Sequence, residues 1–336
     1  MRAYQISAPT GLDALNLVEL PKPEPKRGQV LVKVAACSLN FRDLAIALGR
    51  YRAPSKPNLI PLSDGSGEVV AVGADVTKFK VGDRVASCFF GRFSGGVPGP
   101  EASASALGGA ADGMLAEYVA LEEGGVVKLP AYLSYEEGAT LPCAGVTAWN
   151  ALVEHGHLTA GQTVLVLGTG GVSIFALQFA RLLGAEVIAT SSSDAKLSKA
   201  KQLGAAHGIN YKTTPEWDKA AVELTGGVGV DQVVEVGGAG TVAKSLGAIR
   251  QGGKVSMIGV LSGPAGEFNP MLILGKRANV QGISVGSTQM AEAMVKAMAV
   301  GGTKPVIDRA FAFDEVKPAF KYLESAAHFG KVVIKI

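Results

Sequence analysis

The chain has 336 residues, 48% of them hydrophobic and 18% charged, with a formal net charge of +3. That length supports two domains with ample cores, and the near-neutral balance excludes the basic footprint of a nucleic-acid binder. Three cysteines, Cys37, Cys88 and Cys143, lie far apart with no C-x-x-C pair, which argues against a disulfide framework or a cysteine zinc cluster and suits a reducing, cytoplasmic compartment.

The opening Met1-Arg-Ala-Tyr-Gln has no apolar signal core. The first 125 or so residues then read as short strands separated by turns, with strands at 31–35, 68–72 and 84–86. Turns are expected at 21–25, 73–75 and 82–83, and one short helix from Phe41 to Leu48. This gives a compact, mostly β domain. Residues 91–113 are rich in Gly, Ala, Ser and Pro, so they are expected to bury little and to form a mobile loop.

From about residue 126 the periodicity changes. Strands are expected at 163–168, 186–190, 207–210, 230–236, 254–259 and 279–285, with helices at 171–183, 194–203, 215–224 and 240–250. Alternating β and α with continuous apolar strands predicts an α/β domain, a doubly wound parallel sheet covered on both faces. The last segment, 303–336, is expected to return its closing strand to the N-terminal β domain. The chain therefore divides into a β domain over 1–125 and 303–336 and an α/β domain over 126–302.

The run from Thr163 to Ala180 carries the chemistry. An apolar strand meets Gly168-Thr169-Gly170-Gly171-Val172-Ser173 and a helix begins. Glycines there let the backbone turn tightly and approach a pyrophosphate, and the helix N-terminus offers free N–H groups. The third small position, normally Gly or Ala, is Ser173, which is still small enough for close helix–strand packing. The uncharged stretch 163–180 is long enough to span a bilayer, but its glycine turn and Arg181 favour a strand–turn–helix, and no membrane contact is expected.

An NAD site places Asp or Glu at the tip of the second strand, roughly 20 residues after the first glycine. Here that strand ends in Thr190-Ser191-Ser192-Ser193 with no carboxylate, and Asp194 is expected to cap the next helix. Lys196 lies in that helix's first turn, where a cation is unfavourable unless an anion is near. Hydroxyls plus a lysine suit a 2′-phosphate, so the cofactor is read as NADP(H); the bland alternative is a solvated helix start with a surface lysine.

Together with Val81-Gly-Asp-Arg-Val85, Leu141–Trp149 and the closing Gly330-Lys-Val-Val, these features resemble the medium-chain dehydrogenase/reductase superfamily over essentially the whole chain. The resemblance implies a GroES-like catalytic domain split around a Rossmann domain, with the cofactor in the cleft between them. Zinc members carry a catalytic cysteine where this chain has Asn40, and a Gly-His-Glu motif where it has Leu62-Ser63-Asp64. Only Cys143 stands near a third ligand position, and one thiol without a histidine partner cannot build a tetrahedral site, so no metal is expected. The four-cysteine structural zinc lobe is replaced by 91–113.

The segment Leu39–Asp43 followed by Ala47–Tyr51 resembles zinc-independent quinone oxidoreductases and the enoyl reductase domains of polyketide and fatty acid synthases. In these the Asn contacts the cofactor near the nicotinamide and a Tyr can stand near the substrate. Enoyl reductase domains often place a lysine where this chain has Val260, so a lysine proton donor is not carried over. The NADPH-binding relatives hold the 2′-phosphate with residues matching Ser192, Lys196 and Tyr211, beside Ser191. The resemblance further assigns Thr147, Gly259, Val260, Val285 and Lys331 to the cofactor, with Gly168, Gly170, Gly171 and Val172.

The activity implied is hydride transfer from NADPH to an activated double bond (enone or enoyl) or a quinone, a small electrophilic substrate. The donor for the developing anion is expected to be Tyr51 first and Arg42 second, with Asn40 beside them. Each has a bland counterpart: Asn40 as a helix cap, Arg42 and Asp43 as a structural ion pair, Tyr51 as a loop anchor, Thr147 as a plain helix residue and Cys143 as a small packed residue. His155 and His157 fit no motif. Two other functions compete: a zinc-free alcohol dehydrogenase or carbonyl reductase, and an NADPH-binding structural or regulatory protein with little turnover. The low-charge strand at 278–285 is expected to pair edge to edge in a homodimer. Loops at 51–62, 91–113 and 260–290 are expected to shape the pocket.

Overall fold

The computed structural model describes residues 1–8, 10–51, 56–263 and 265–336. Two compact units emerge, one comprising Met1–Val146 and Val285–Ile336, the other Thr147–Ser284. The expected pocket loop at 51–62 includes residues 52–55, which lie outside the described residues, as does Pro264.

The first unit is built mainly from strands. β1 (Arg2–Ile6) and β2 (Leu15–Glu19) form an antiparallel pair. β3 (Gln29–Ser38), β4 (Asp64–Val72), β5 (Arg84–Ser87), β6 (Tyr118–Glu122) and β7 (Val126–Lys128) follow. Helices α1 (Phe41–Ala47), α2 (Pro100–Ala104) and α3 (Tyr135–Ala139) connect or cover them. A helical stretch over 141–154, containing α4 (Val146–Trp149), holds the boundary between the units.

The second unit is a six-stranded, all-parallel sheet in the order β10-β9-β8-β11-β12-β13. Its strands are β8 (Thr163–Val166), β9 (Glu186–Ser191), β10 (His207–Asn210), β11 (Val230–Glu235), β12 (Ile249–Met257) and β13 (Asn279–Gly282). Helices α5 (Gly171–Leu182), α6 (Asp194–Gln202), α7 (Trp217–Leu224), α8 (Val242–Ala248) and α9 (Met271–Lys276) connect them. Leu165, Ile188, Val233 and Val255, from four neighbouring strands, are fully buried, as continuous apolar strands covered on both faces must be.

The chain returns to the first unit through α10 (Thr288–Gly301), β14 (Ile307–Ala312), α11 (Val316–Glu324) and β15 (Lys331–Lys335). The larger sheet runs β14-β15-β3-β4-β5-β7, with β6 also paired to β3. The expected return of the closing strand is therefore seen: β15 lies antiparallel to β3, with Val333 opposite Ser38.

The unit boundaries differ from the expected 125/126 and 302/303, and packing gives the reason. β7 pairs with β5, α3 packs on β3, β4 and β15, and α10 packs on β7, so 126–146 and 285–302 belong to the β unit. Val285, the first residue after the second crossing, is buried and held at φ 53°. A β-branched residue rarely adopts that conformation, and it persists only where surrounding packing enforces it.

The segment 91–113 also departs from expectation. It contains α2 and buries Phe93, Ala102 and Leu107. Low apolar content misleads here because backbone contacts fix the segment: Gly113 N–H donates to Ile60 O at 2.7 Å and Leu107 N–H to Phe89 O at 3.0 Å. A Cβ at Gly113 would stand 2.1 Å from Leu62 O, and one at Gly108 2.6 Å from Leu62 C. The two glycines thus let this segment lie backbone to backbone on the turn that precedes Asp64. Gly113→Ala should destabilise the protein by about 1–3 kcal/mol, the usual cost of overpacking, as read from urea unfolding midpoints; an unchanged midpoint would show that the contact yields freely.

Candidate functional site

Three strand ends converge in the first unit. Ser38 at the end of β3 faces Asp64 at the start of β4, and β15 begins beside them, with Leu39 N–H donating to Val332 O at 3.0 Å. That register places Asn40, Asp64 and Lys331 together although they are 24 to 291 residues apart in sequence.

Lys331 is 3% exposed. Its Nζ donates to Asn40 Oδ1 at 2.6 Å and to Leu39 O at 2.7 Å, and lies 3.9 Å from Asp64 Oδ2. Asp64 is itself fully buried; its Oδ1 accepts from Ser63 Oγ at 2.7 Å and its Oδ2 from the Cys143 N–H at 3.2 Å. A buried charge is tolerable only when paired and hydrogen-bonded, and this cluster meets that condition for both ions.

Asn40 is the N-cap of α1, as its bland reading requires, and its N–H donates to Asp43 Oδ2 at 2.8 Å. Its Nδ2 is nevertheless buried without a partner in the protein. Arg42 is a brace, although its Nε is buried without a partner in the protein. Its guanidinium donates to Leu107 O, stacks over the Phe89 ring at 4.2 Å and lies 3.8 Å from Asp43. Arg42 therefore ties α1 to the 91–113 segment. Tyr51 is exposed and lies at the opposite end of α1 from Asn40, next to the undescribed residues 52–55.

The donor set does not fit zinc. Among the described residues no three His, Cys, Asp or Glu side chains converge, and the ammonium of Lys331 stands beside Asp64, where a divalent cation would be repelled. Burial, with Asp64 nearby, pushes the Cys143 thiol up to about 12, which suits a packed residue and not a thiolate ligand or nucleophile.

In the second unit the glycine turn has the expected form. Gly168 adopts φ +73°, its N–H donating to Thr190 Oγ1 at 3.2 Å, and Gly170 is the N-cap of α5, with Gly171 and Val172 in its first turn. A Cβ at Gly168 or Gly170 would meet nothing within 4 Å, so both present open backbone. Ser173 does more than stay small: it is buried and its Oγ donates to Leu167 O at 2.6 Å, tying α5 to the end of β8.

At the tip of β9, Ser193 and not Asp194 is the N-cap of α6, accepting the Lys196 N–H at 3.4 Å. Asp194 is the first residue of that helix and accepts from Asn210 Nδ2 at 2.9 Å; Ser193 fits the cap better because it sits in extended backbone one residue earlier. Ser191 Oγ accepts from Ser193 N–H, Ser192 is half-buried and Tyr211, 42% exposed, donates its N–H to Ser191 O at 3.1 Å. Ser191, Ser192, Lys196 and Tyr211 therefore gather at one strand end.

Glu235 is a residue the sequence reading missed. It ends β11, is fully buried, and its Oε1 accepts from Gly237 N–H at 2.6 Å, Gly238 N–H at 3.0 Å and Thr241 Oγ1 at 2.7 Å, while Oε2 takes Ser245 Oγ. The turn it organises packs against Gly259 and Val260: a Cβ at Gly238 would stand 2.8 Å from Val260 Cα, and one at Gly259 2.4 Å from Val236 O. An acidic residue ending an apolar strand before two glycines was the available signal. Thr147 is buried, and Val285 is the strained residue already described.

Burial raises the Asp43 carboxyl to about 6, with Arg42 opposing and Asp64 reinforcing the shift. The native state thus holds a proton that the unfolded chain releases near pH 3.9, so this group's contribution is complete below about 4 and is lost as pH rises through 6, a change of roughly 3 kcal/mol. Asp43→Asn should remove that dependence: between pH 4 and 7 its urea stability should fall less than that of the unsubstituted chain, and equal slopes would refute the assignment.

Two family models match the chain: Alcohol dehydrogenase GroES-like domain over residues 26–131 and Zinc-binding dehydrogenase over 171–300. A zinc-type alcohol dehydrogenase-like protein of Schizosaccharomyces pombe is 47% identical over 97% of this chain and 96% of its own length. The quinone oxidoreductase of Pongo abelii is 31% identical over 99% of this chain and 97% of its own. The crystal structure of a quinone oxidoreductase from Pseudomonas syringae pv. Tomato DC3000 superposes with a TM-score of 0.85 at 29% identity, covering 100% of this chain and 99% of that one. A mycobacterial protein complexed with NADPH superposes with a TM-score of 0.83 at 26% identity, covering both chains completely. With a GroES-like β unit, a parallel α/β unit and a pyridine-nucleotide turn, the chain is an oxidoreductase that belongs to the medium-chain dehydrogenase/reductase superfamily, in its quinone oxidoreductase-like branch.

Proposed function

We propose that the protein is a zinc-independent, NADPH-dependent reductase of activated double bonds or quinones. The observation that carries this reading is the ammonium–carboxylate–amide cluster of Lys331, Asp64 and Asn40, standing where a metal donor set is needed for Lewis-acid activation of a plain alcohol or carbonyl. NADPH, when bound, supplies the hydride.

The chain's own residues do the rest. Gly168, Gly170 and the first turn of α5 offer backbone N–H groups to a pyrophosphate. Ser191, Ser192, Lys196 and Tyr211 supply hydroxyls and a cation for a 2′-phosphate, and no carboxylate ends β9 to repel it. Reduction of an enone or quinone leaves charge on oxygen; a phenol such as Tyr51 protonates that anion, while the Asn40 amide contacts the cofactor near the nicotinamide. Both roles rest on the likeness to quinone oxidoreductases and on the chemistry of these side chains.

A second copy of the chain is the expected partner. β13 ends the parallel sheet, and its residues Asn279–Gly282 carry no charge; two such edges related by a two-fold axis pair with each other. Light scattering at micromolar concentration should give twice the 34.4 kDa chain mass, and a monomer mass would count against the pairing.

The activity test is oxidation of NADPH and NADH at 340 nm by EDTA-treated protein with a 1,4-quinone, an alkenone, an enoyl thioester and a simple aldehyde. Turnover should survive the chelator and favour NADPH with the first three. Lys196→Ala should raise KM for NADPH about 10- to 100-fold, the worth of one charged hydrogen bond, and leave NADH unchanged. Activity lost to EDTA, or confined to the aldehyde, would overturn the reading; an equal effect of Lys196→Ala on both nucleotides would overturn the 2′-phosphate site.

A further inference from the structure

We infer that Lys331 is a positioning residue: it locks the side-chain amide of Asn40 so that Nδ2 is presented as a fixed hydrogen-bond donor to an oxygen of the bound nucleotide, with Asp64 as its counter-charge. This deepens the reading above and rests on it.

A lysine ammonium only donates hydrogen bonds, so the Asn40 atom 2.6 Å from Nζ must be the amide oxygen. The NH2 group is then forced to the other side, where it is buried and meets no acceptor in the protein. An orphaned buried donor costs about 1–3 kcal/mol, and an unconstrained amide would relieve that cost by rotating. Here rotation would set NH2 against NH3⁺, and the ammonium cannot withdraw, because Leu39 O holds it at 2.7 Å and β15 carries its backbone in register with β3. The geometry therefore stores an unmet, fixed donor at Asn40 Nδ2.

Asp64 makes the arrangement stable. The carboxylate is spent on Ser63 Oγ, on the Cys143 N–H and, at 3.9 Å, on Lys331. The two remaining charges of the neighbourhood, Arg42 and Asp43, face each other at 3.8 Å. Lys331 thus supplies orientation at Asn40 while its charge is balanced locally.

The test is a cycle on NADPH affinity, read from cofactor fluorescence, with thermal melting to establish folding. Asn40→Ala should weaken NADPH about tenfold, one neutral hydrogen bond. The charge-neutral pair Lys331→Met with Asp64→Asn should weaken it to a similar degree, and adding Asn40→Ala to that pair should cost nothing more. Losses that multiply, or a folded pair that binds NADPH like the unsubstituted chain, would overturn the inference.

Asn40→Asp is the second arm, should the paired variant fail to fold. It keeps an oxygen for Lys331 and adds an ion pair, so the melting temperature should hold while NADPH binding falls as in Asn40→Ala; unchanged binding would overturn the inference. If the unsubstituted chain binds NADPH yet reduces no acceptor, the reductase reading fails while the binding cycle still decides this one.

Discussion

Taking a lysine ammonium out of water costs several kcal/mol unless its charge and its protons are met. Lys331 is 3% exposed and is met by a carbonyl, an amide oxygen and a carboxylate from two other strand ends. That requirement constrains much of the first unit. β15 must lie against β3 to deliver the lysine, β4 must begin at Asp64 to deliver the counter-charge, and the Leu62 turn must be tight enough to start β4 there. The last condition reaches the glycine-rich segment, whose Gly108 and Gly113 lie against the Leu62 backbone. Arg42 closes the arrangement by pinning the same segment to α1 through Leu107 O.

The second unit solves a different problem, that of holding backbone N–H groups open to a ligand while the turn that carries them stays fixed. Gly168 and Gly170 stay uncovered because Ser173 and Thr190 fix the turn from behind. Glu235 does the same for the turn after β11: one buried carboxylate collects two backbone N–H groups and two hydroxyls. A carboxylate with four donors is a stable anchor for a glycine turn, since bonds to a charged acceptor are roughly twice as strong as neutral ones.

Legibility followed sequence distance. The strand–turn–helix at 163–182 was readable because its signals are local: an apolar run, glycines at fixed offsets and a helical period. The parallel sheet and the return of β15 were readable from alternation and from the closing apolar run. Lys331 was legible as a family position but not as a partner of Asn40, because 291 residues separate them and only the β3–β15 register joins them. The 91–113 segment was misjudged because composition reports side-chain burial, whereas this segment is held by its backbone. The unit boundaries shifted for a related reason: β7 and α10 are assigned only by what they pair with or pack on.

The same cluster also keeps its own charges balanced. A lone buried charge is strongly destabilising. Here Ser63 donates to Asp64, and the Lys331 ammonium donates to Asn40 Oδ1 and stands 3.9 Å from the Asp64 carboxylate. Charge is balanced without an ion, and the Lys331 ammonium is spent on three protein oxygens. What the site offers instead is the unmet amide N–H of Asn40.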